Sequence, residues 1–298
     1  MSDQSSAKQN RASAITVVIA LVIGGLVALA GSQGGATVGG VPVFALAVAA
    51  AFAVQVLVYI PSAIAKTERF FDATGSATFI LVTIAVLLLV PTVDARGFVL
   101  AAMVILWAIR LGSFLAIRIH KAGSDDRFDE IKIAPVRFLR VWVMQGLWVS
   151  VTAAAAWIAM GVAPADQVAI DAFAIVGIVV WVVGFVLEVV ADAQKTAFKA
   201  DPANKGRFIR TGVWSVSRHP NYLGEILLWI GVFIVAIPVL SGWQWIAVLS
   251  PLFVALLLTR VSGIPLLEKK ADARWGGQAD YEEYKAKTGV LVPGLGRG

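Results

Sequence analysis

The stretch VAIDAFAIVGIVVWVVGFVLEVV, Val168 to Val190, decides the fold. A helix needs about 20 mostly apolar residues to cross the hydrocarbon layer, and this run supplies them. Working outward, the same pattern recurs at Ala14–Ala30, Val41–Ala65, Ser76–Leu89 extended to Val93, and Gly97–Ile117. It returns at Phe138–Met160, Leu223–Val239 and Trp243–Leu258. The last two are short and meet at a turn marked by Pro238 and Ser241-Gly242, so the chain reads as seven to eight transmembrane helices, the lower count containing a re-entrant segment. The fold class is all-α: a polytopic integral membrane helical bundle. Composition agrees, with 59% hydrophobic and 15% charged residues among 298, against roughly 45–50% and about 25% in soluble domains. Mean hydropathy is +0.82. Ordinary soluble enzymes, secreted disulfide scaffolds and free-standing nucleic-acid binders are excluded. The absence of Cys removes thiol nucleophiles, thiolate metal sites and disulfides.

Ala14–Ala30 is too long for a typical signal-peptide core, and Gly34-Gly35 followed by more apolar sequence does not resemble a cleavage site. It reads as a retained helix. Eight crossings put both termini on one side. That side carries Lys8, Arg11, Lys66, Arg69, Lys121, Arg127, Lys132 and Arg137. It also carries Lys195, Lys199, Lys205, Arg207, Arg210, Arg218, Lys269, Lys270, Arg274, Lys285, Lys287 and Arg297, while Arg96 alone stands on the other. Basic residues flanking spans stay in the cytoplasm, so both termini are expected there, in a bacterial-type inner membrane or its equivalent. The net charge of +6 then needs no nucleic acid. No inverted internal repeat of the transporter kind is visible. Nearly all polar sequence falls in 119–137, 191–222 and 261–298, and chemistry is expected there.

Ionisable groups at membrane depth are costly and are functional candidates by default. Six qualify: Glu68, Asp72, Arg110, Glu188, Glu225 and Arg260. For Glu68 and Arg260, near span ends, snorkelling or plain solvation is an equal alternative, and for Arg110 a structural ion pair. Glu188 and Asp192 fall on one helical face and run into Lys195 and Lys199. The segment 191–225 is the densest polar stretch. Several Arg and Lys converge on a short loop, and guanidinium forks match phosphate oxygens. Asn221 and Tyr222 open a helix, whose free N–H groups favour anions. Trp214 and Tyr222 offer faces for planar rings. Anionic lipid headgroups would account for the Lys and Arg residues but not for His219, Asn221, Tyr222 and Glu225 together. His120 and His219, far apart and without Cys, make a weak zinc site. No Ser has a convincing base and orienter.

The run Ser217-Arg-His-Pro-Asn-Tyr-Leu-Gly-Glu225 resembles the C-terminal signature of the membrane steroid 5α-reductase family, which has bacterial members. The likeness extends upstream through Glu188, Asp192, Lys195, Lys199, Arg210, Gly212 and Trp214, and downstream through Glu268, Tyr281, Tyr284 and Val292-Pro293. It is loose over residues 1–135. A related Arg-His-Pro pattern with a later Glu and Tyr occurs in isoprenylcysteine carboxyl methyltransferases and in sterol C14 or C7 reductases; the Asn-Tyr-x-Gly-Glu spacing tilts the resemblance toward the reductases.

The resemblance implies an enzyme that binds NADPH in a cytoplasm-facing pocket and reduces the C4–C5 double bond of a 3-oxo-Δ4 steroid or related lipid enone. It implies a single membrane-embedded domain over 1–298, with 12–137 on the substrate side and 138–298 as the cofactor-binding half. The implied cofactor residues are Glu188, Asp192, Lys195, Lys199, Arg210, Trp214, Arg218, His219, Asn221, Tyr222, Glu225, Glu268, Tyr281 and Tyr284. Family members hold the substrate ketone with a Glu and a Tyr on early helices. The Tyr position falls on Trp107 here, and the Glu corresponds to Asp72, Glu68 or, in another alignment, Tyr59; the three remain open as the catalytic donor. No metal is implied. Charge develops on the enolate oxygen as hydride arrives, so a donor aimed there favours the transition state, and a carboxyl in an apolar pocket stays neutral enough to donate. A lipid-borne substrate and a charged nucleotide explain the divided polarity, with the tail 261–298 as a lid over the cofactor. Partners are then a sterol-like lipid and membrane lipid, with no nucleic acid and no obligate protein partner evident. The competing readings are an S-adenosylmethionine-dependent methyltransferase of the isoprenylcysteine type and a non-catalytic lipid-binding protein or transporter. Six Lys and Arg residues between 195 and 218 favour a phosphorylated cofactor.

Overall fold

The computed structural model describes residues 3–122, 128–292 and 294. Arg127, Pro293 and Arg297 lie outside the described residues, as do the side chains of His120 and Lys121. Among the described residues eight helices are long and apolar enough to cross a membrane, which makes the chain a polytopic helical membrane protein. The chain divides into two compact units, Met1–Ala174 with Val235–Ser250, and Ile175–Ile234 with Pro251–Gly298.

Unit 1 contains α1 (Asp3–Gly31), α2 (Val43–Ile64), α3 (Phe71–Leu89), α4 (Ala95–Ala122) and α5 (Pro135–Met160). A two-residue hairpin joins α1 to α2, with β1 (Thr37–Val38) antiparallel to β2 (Val41–Pro42). Proline opens α5, where its fixed φ suits the first turn and its missing N–H costs nothing. This helix is buried along nearly all of its length and packs against α1, α2, α3 and α4. Its small Ala153–Ala156 run lets those neighbours approach. Polar ties inside the bundle replace water: Trp157 Nε1 donates to Thr83 Oγ1 at 2.9 Å, and Gln55 Nε2 to Thr78 Oγ1 at 2.9 Å. Near the polar ends of α2, α3 and α5, Tyr59, Phe71, Phe128, Phe138 and Trp142 form an aromatic cluster with ring centroids 5.1–6.4 Å apart.

Arg96 departs from the sequence reading, in which it stood as the one stray outer cation. Its side chain is 1% exposed. Nη1 donates to Val235 O at 2.6 Å, Nη2 to Ala169 O at 2.9 Å and to Asp171 Oδ1 at 3.0 Å, and Nε to Val168 O at 3.2 Å. The carbonyls of Val168 and Ala169 face the guanidinium, and the next helix begins only at Ala172. The Ala174 N–H and then Arg96 hold the Asp171 carboxyl below the usual carboxylate range.

In unit 2, α6 (Ala172–Ala200) runs ten residues past the apolar stretch that predicts it, carrying Asp192, Lys195 and Lys199 on continuous helix. Its outward stripe, Val176, Val179, Val183 and Val186, is exposed, as a lipid-facing helix requires. Helix α7 (Pro220–Ala236) crosses it at glycines. A Cβ on Gly184 would lie 2.6 Å from the Gly224 carbonyl oxygen, and one on Gly231 would lie 2.6 Å from that of Gly177. The final predicted span is not one helix. A 3-10 stretch over Gly242–Val248, in the part of the chain that belongs to unit 1 as far as Ser250, leads to α8 (Leu249–Leu256), then a π-helical turn at Leu257–Val261 and a break at Ser262-Gly263. Two polar helices follow, α9 (Ile264–Trp275) and α10 (Ala279–Lys287).

Candidate functional site

A cavity of about 620 Å³ opens in unit 2, within the range of ligand pockets. Four segments build it. The polar extension of α6 supplies Lys195, Phe198 and Lys199; the loop after it supplies Asn204 to Ile209; Trp214, Arg218 and His219 precede α7; and α9 and α10 supply Leu267, Glu268, Lys270, Ala271, Arg274, Trp275, Tyr281 and Tyr284. Leu267, Lys270, Ala271 and Arg274 share a face because residues three, four and seven apart do so on a helix.

Charge is lopsided here. Lys195, Lys199, Lys205, Arg207, Arg218, Lys270 and Arg274 line the cavity, and the one carboxylate among the lining residues is Glu268. Glu268 is already engaged: Arg218 Nη1 lies 2.9 Å from Oε2, and His219 Nε2 lies 2.7 Å from Oε1. With the Glu268 carboxylate held by Arg218, that contact places the His219 proton on Nε2. The Lys195 ammonium sits over the Trp214 ring at 4.6 Å and Arg274 over Trp275 at 4.9 Å. These rings back cations, which a phosphate can then meet from the open side.

The walls are fastened to each other. Trp214 Nε1 donates to Ala191 O at 3.1 Å, and Trp275 Nε1 to Gly206 O at 2.7 Å. Tyr284 Oη donates to Trp214 O at 2.6 Å. The backbone of 288–290 runs beside 215–219, with Arg218 N donating to Gly289 O at 2.9 Å and His219 N to Val290 O at 3.2 Å. The tail, expected as a lid, is thus stitched along the cavity lip. Phe208 packs among Trp275, Tyr281 and Tyr284 with centroids 5.2–5.8 Å apart. Burial pushes the Tyr284 phenol up to about 12, and burial followed by its bond to Asp272 raises Tyr281.

Of the expected cofactor residues, Lys195, Lys199, Trp214, Arg218, His219, Glu268, Tyr281 and Tyr284 converge on this cavity. Glu188, Asp192, Arg210, Asn221, Tyr222 and Glu225 are not among its lining residues. Glu188 and Asp192 are buried on α6, and the Glu188 backbone abuts Gly224. Arg210 is exposed, 3.8 Å from Asp280. Tyr222, expected as a stacking platform, lies nearly parallel to the His219 ring at 5.8 Å. Asn221 Oδ1 is buried without a hydrogen-bond partner, and Glu225 is half-buried one turn into α7. Asn204, Lys205, Arg207, Phe208, Lys270, Arg274 and Trp275 also line the cavity and are not among the cofactor residues that the resemblance implies. The spacing on α9 announces Lys270 and Arg274, whereas nothing in the sequence marks Phe208.

The three candidate donors belong to unit 1. Tyr59 is half-buried and donates to Pro135 O at 3.1 Å. Glu68 is buried and accepts from Lys132 Nζ at 3.0 Å, and Lys132 also meets Asp129 at 2.9 Å. Those two carboxylates, Asp129 first, raise the Lys132 ammonium above its ordinary value. Asp72 lies in the first turn of α3. Trp107 is fully buried on α4 against Phe79. Among the described residues, no group of three His, Asp or Glu is placed to hold a metal ion.

A polytopic helical membrane protein with a cation-lined cavity is thus defined by its own geometry. The family described as "Protein of unknown function (DUF1295)" matches residues 58–288, and the chain belongs to it. That family includes steroid 5α-reductase-like membrane proteins. A 46-residue stretch is 41% identical to a protein described as "Probable O-methyltransferase ustE" from Ustilaginoidea virens, covering 15% of this chain and 16% of that protein. No solved structure matches the chain.

Proposed function

We propose that the protein is an NADPH-dependent reductase of a lipid enone, reducing the C4–C5 double bond of a 3-oxo-Δ4 steroid or a close relative, from a site facing the cytoplasm. The observation that carries this is the charge of the unit 2 cavity, seven cationic side chains against one carboxylate that is already paired. A ligand with several phosphate charges fits such a wall. S-adenosylmethionine, which brings a sulfonium and no phosphate, does not need it. Lys205, Arg207, Lys270 and Arg274 would hold phosphates, and Lys195 and Lys199 the pyrophosphate nearer the membrane. NADPH, when bound, supplies a hydride. The chain's share is to orient the nucleotide, exclude water, and present a donor to the oxygen on which negative charge grows. Conjugation to that oxygen is what makes the attacked carbon electrophilic. Tyr59, Glu68 and Asp72 stay the proposed donors, and the asymmetry of Lys and Arg supports both termini in the cytoplasm.

The short likeness to an O-methyltransferase favours the second reading, transfer of a methyl group from S-adenosylmethionine. Thermal stabilisation of the purified protein by NADPH, NADH and S-adenosylmethionine separates the two. Stabilisation by NADPH well above NADH is expected. Stabilisation by S-adenosylmethionine alone would replace the reductase reading with the methyltransferase one.

A further inference from the structure

Unit 1 holds four buried polar atoms without hydrogen-bond partners along one seam: Gln55 Oε1, Ser62 Oγ, Trp142 Nε1 and Gln145 Oε1. Gln55 and Ser62 are seven residues apart on one face of α2, and Trp142 and Gln145 three apart on one face of α5. Helix α3 ties the two faces together. Thr78 accepts from Gln55 Nε2 at 2.9 Å, Phe71 meets the Trp142 ring at 5.2 Å, and a Cβ on Gly75 would lie 2.6 Å from Gln145 Nε2. On the remaining side Phe52, one turn before Gln55, rests against Gly146. The two amides therefore share the junction of α2, α3 and α5, and only a glycine at 75 leaves the Gln145 amide its place.

Depth makes this junction unusual. Gln55 lies ten residues from the Ala65 end of its apolar run and Gln145 seven past Phe138, where the apolar run of α5 begins, about 15 Å and about 10 Å at 1.5 Å per residue against a hydrocarbon layer of about 30 Å. Gln55 is 0% exposed and Gln145 7%. At that depth no solvent reaches an amide oxygen, and a buried polar group left without a partner is costly. Closer to the polar ends, Tyr59 and Glu68 are engaged with Pro135 and Lys132, so the two unmet amide oxygens lie deeper than those candidates.

We propose that Gln55 and Gln145 form the recognition point for the oxygen function of a lipid ligand, a ketone or hydroxyl carried on an otherwise apolar body. A primary amide offers both a carbonyl acceptor and an NH₂ donor, so the pair can meet either oxygen chemistry by turning one amide. The aromatic cluster of Phe71, Phe138 and Trp142, one to two turns away, supplies the apolar surround. The proposal rests on the lipid-enone reading and adds the side chains that select the ligand's oxygen.

The test is equilibrium binding of tritiated androst-4-en-3-one and androst-4-ene, identical but for the ketone, to the full chain in nanodiscs, without nucleotide and with empty nanodiscs subtracted. The wild type is expected to hold the ketone about tenfold more tightly, the scale of one to two net hydrogen bonds. Gln55→Met and Gln145→Met, near-isosteric and apolar, each lose most of that preference and leave androst-4-ene binding unchanged. Gln55→Asn and Gln145→Asn, which withdraw the amide by one methylene, lose it in part and serve where Met is not tolerated. A wild type indifferent to the ketone, or a preference that survives in all four variants because the junction holds only water, overturns the proposal. NADPH stabilisation measured on the same samples reports the cofactor reading separately, so either can fail alone.

Discussion

Arg96 in unit 1 and the cavity arginines of unit 2 are the same side chain put to opposite uses. Arg96 finds four acceptors within the chain, three of them backbone carbonyls, and is shut away from solvent. Arg207 and Arg274 line a cavity in which one carboxylate serves seven cations. An arginine whose acceptors are supplied by its own fold is a rivet. Where the fold withholds them, as at the exposed Arg207 and Arg274, the guanidinium is left to water and open to a ligand's oxygens. Arg218 stands between the two, half satisfied by Glu268 at 2.9 Å while its Nε is buried without a partner.

The comparison breaks first at Arg96. Arg96→Met leaves three backbone carbonyls unmet and Asp171 with its Ala174 N–H bond but no cation, and is expected to cost about 3–5 kcal/mol, read as a large fall in melting temperature; an unchanged melting temperature would remove the rivet. Next is Glu268→Gln, which takes the charge from a network touching Arg218 and His219. A loss of about 2 kcal/mol is expected without ligand, measured in the same scan. Smaller again is the double variant Arg207→Gln/Arg274→Gln. It should leave the ligand-free melting temperature within about 0.5 kcal/mol of wild type while weakening NADPH about tenfold, with the remaining affinity less sensitive to salt. If the ligand-free protein falls instead, these arginines are structural and the contrast dissolves. Smallest is Tyr284→Phe, costing about 1 kcal/mol through the lost bond to Trp214 O. With its phenol raised to about 12, the folded state favours the neutral form. That stability is complete below the unfolded phenol value near 10 and is lost as pH rises from about 10 toward 12. Phenolate absorbance at 295 nm followed with thermal scans checks it, and the Phe variant should lose less stability across that window.

The eight spans were legible because hydrocarbon imposes a length and a polarity that the sequence displays directly. Their ends were not. Helix α6 continues to Ala200 although its apolar run stops at Val190, since backbone hydrogen bonds persist where hydropathy has nothing further to report. The last span hid a π-turn and a break at Ser262-Gly263 for the same reason. At the cavity, the Lys and Arg of 195–218 were readable as a cluster because they are near one another in the chain. Lys270 and Arg274 reach it from sixty or so residues downstream, and Phe208 is positioned by rings on α9 and α10. Arg96 was read as a stray because its partners are carbonyls of Val168, Ala169 and Val235, and any residue type carries a carbonyl. The same holds for the two glutamines, whose junction depends on three helices meeting.

The glycine crossing of α6 and α7 has a consequence for how such a chain can drift. Gly184 and Gly231 are pressed against the peptide oxygens of Gly224 and Gly177, at about 2.6 Å from where a first side-chain carbon would stand. Two side chains in contact can trade volume over generations, one shrinking as the other grows. A peptide oxygen has no smaller version of itself, so a substitution on one helix cannot be rescued by a second on the other. Descendants can keep that joint or prise the helices apart, and no intermediate repair lies between.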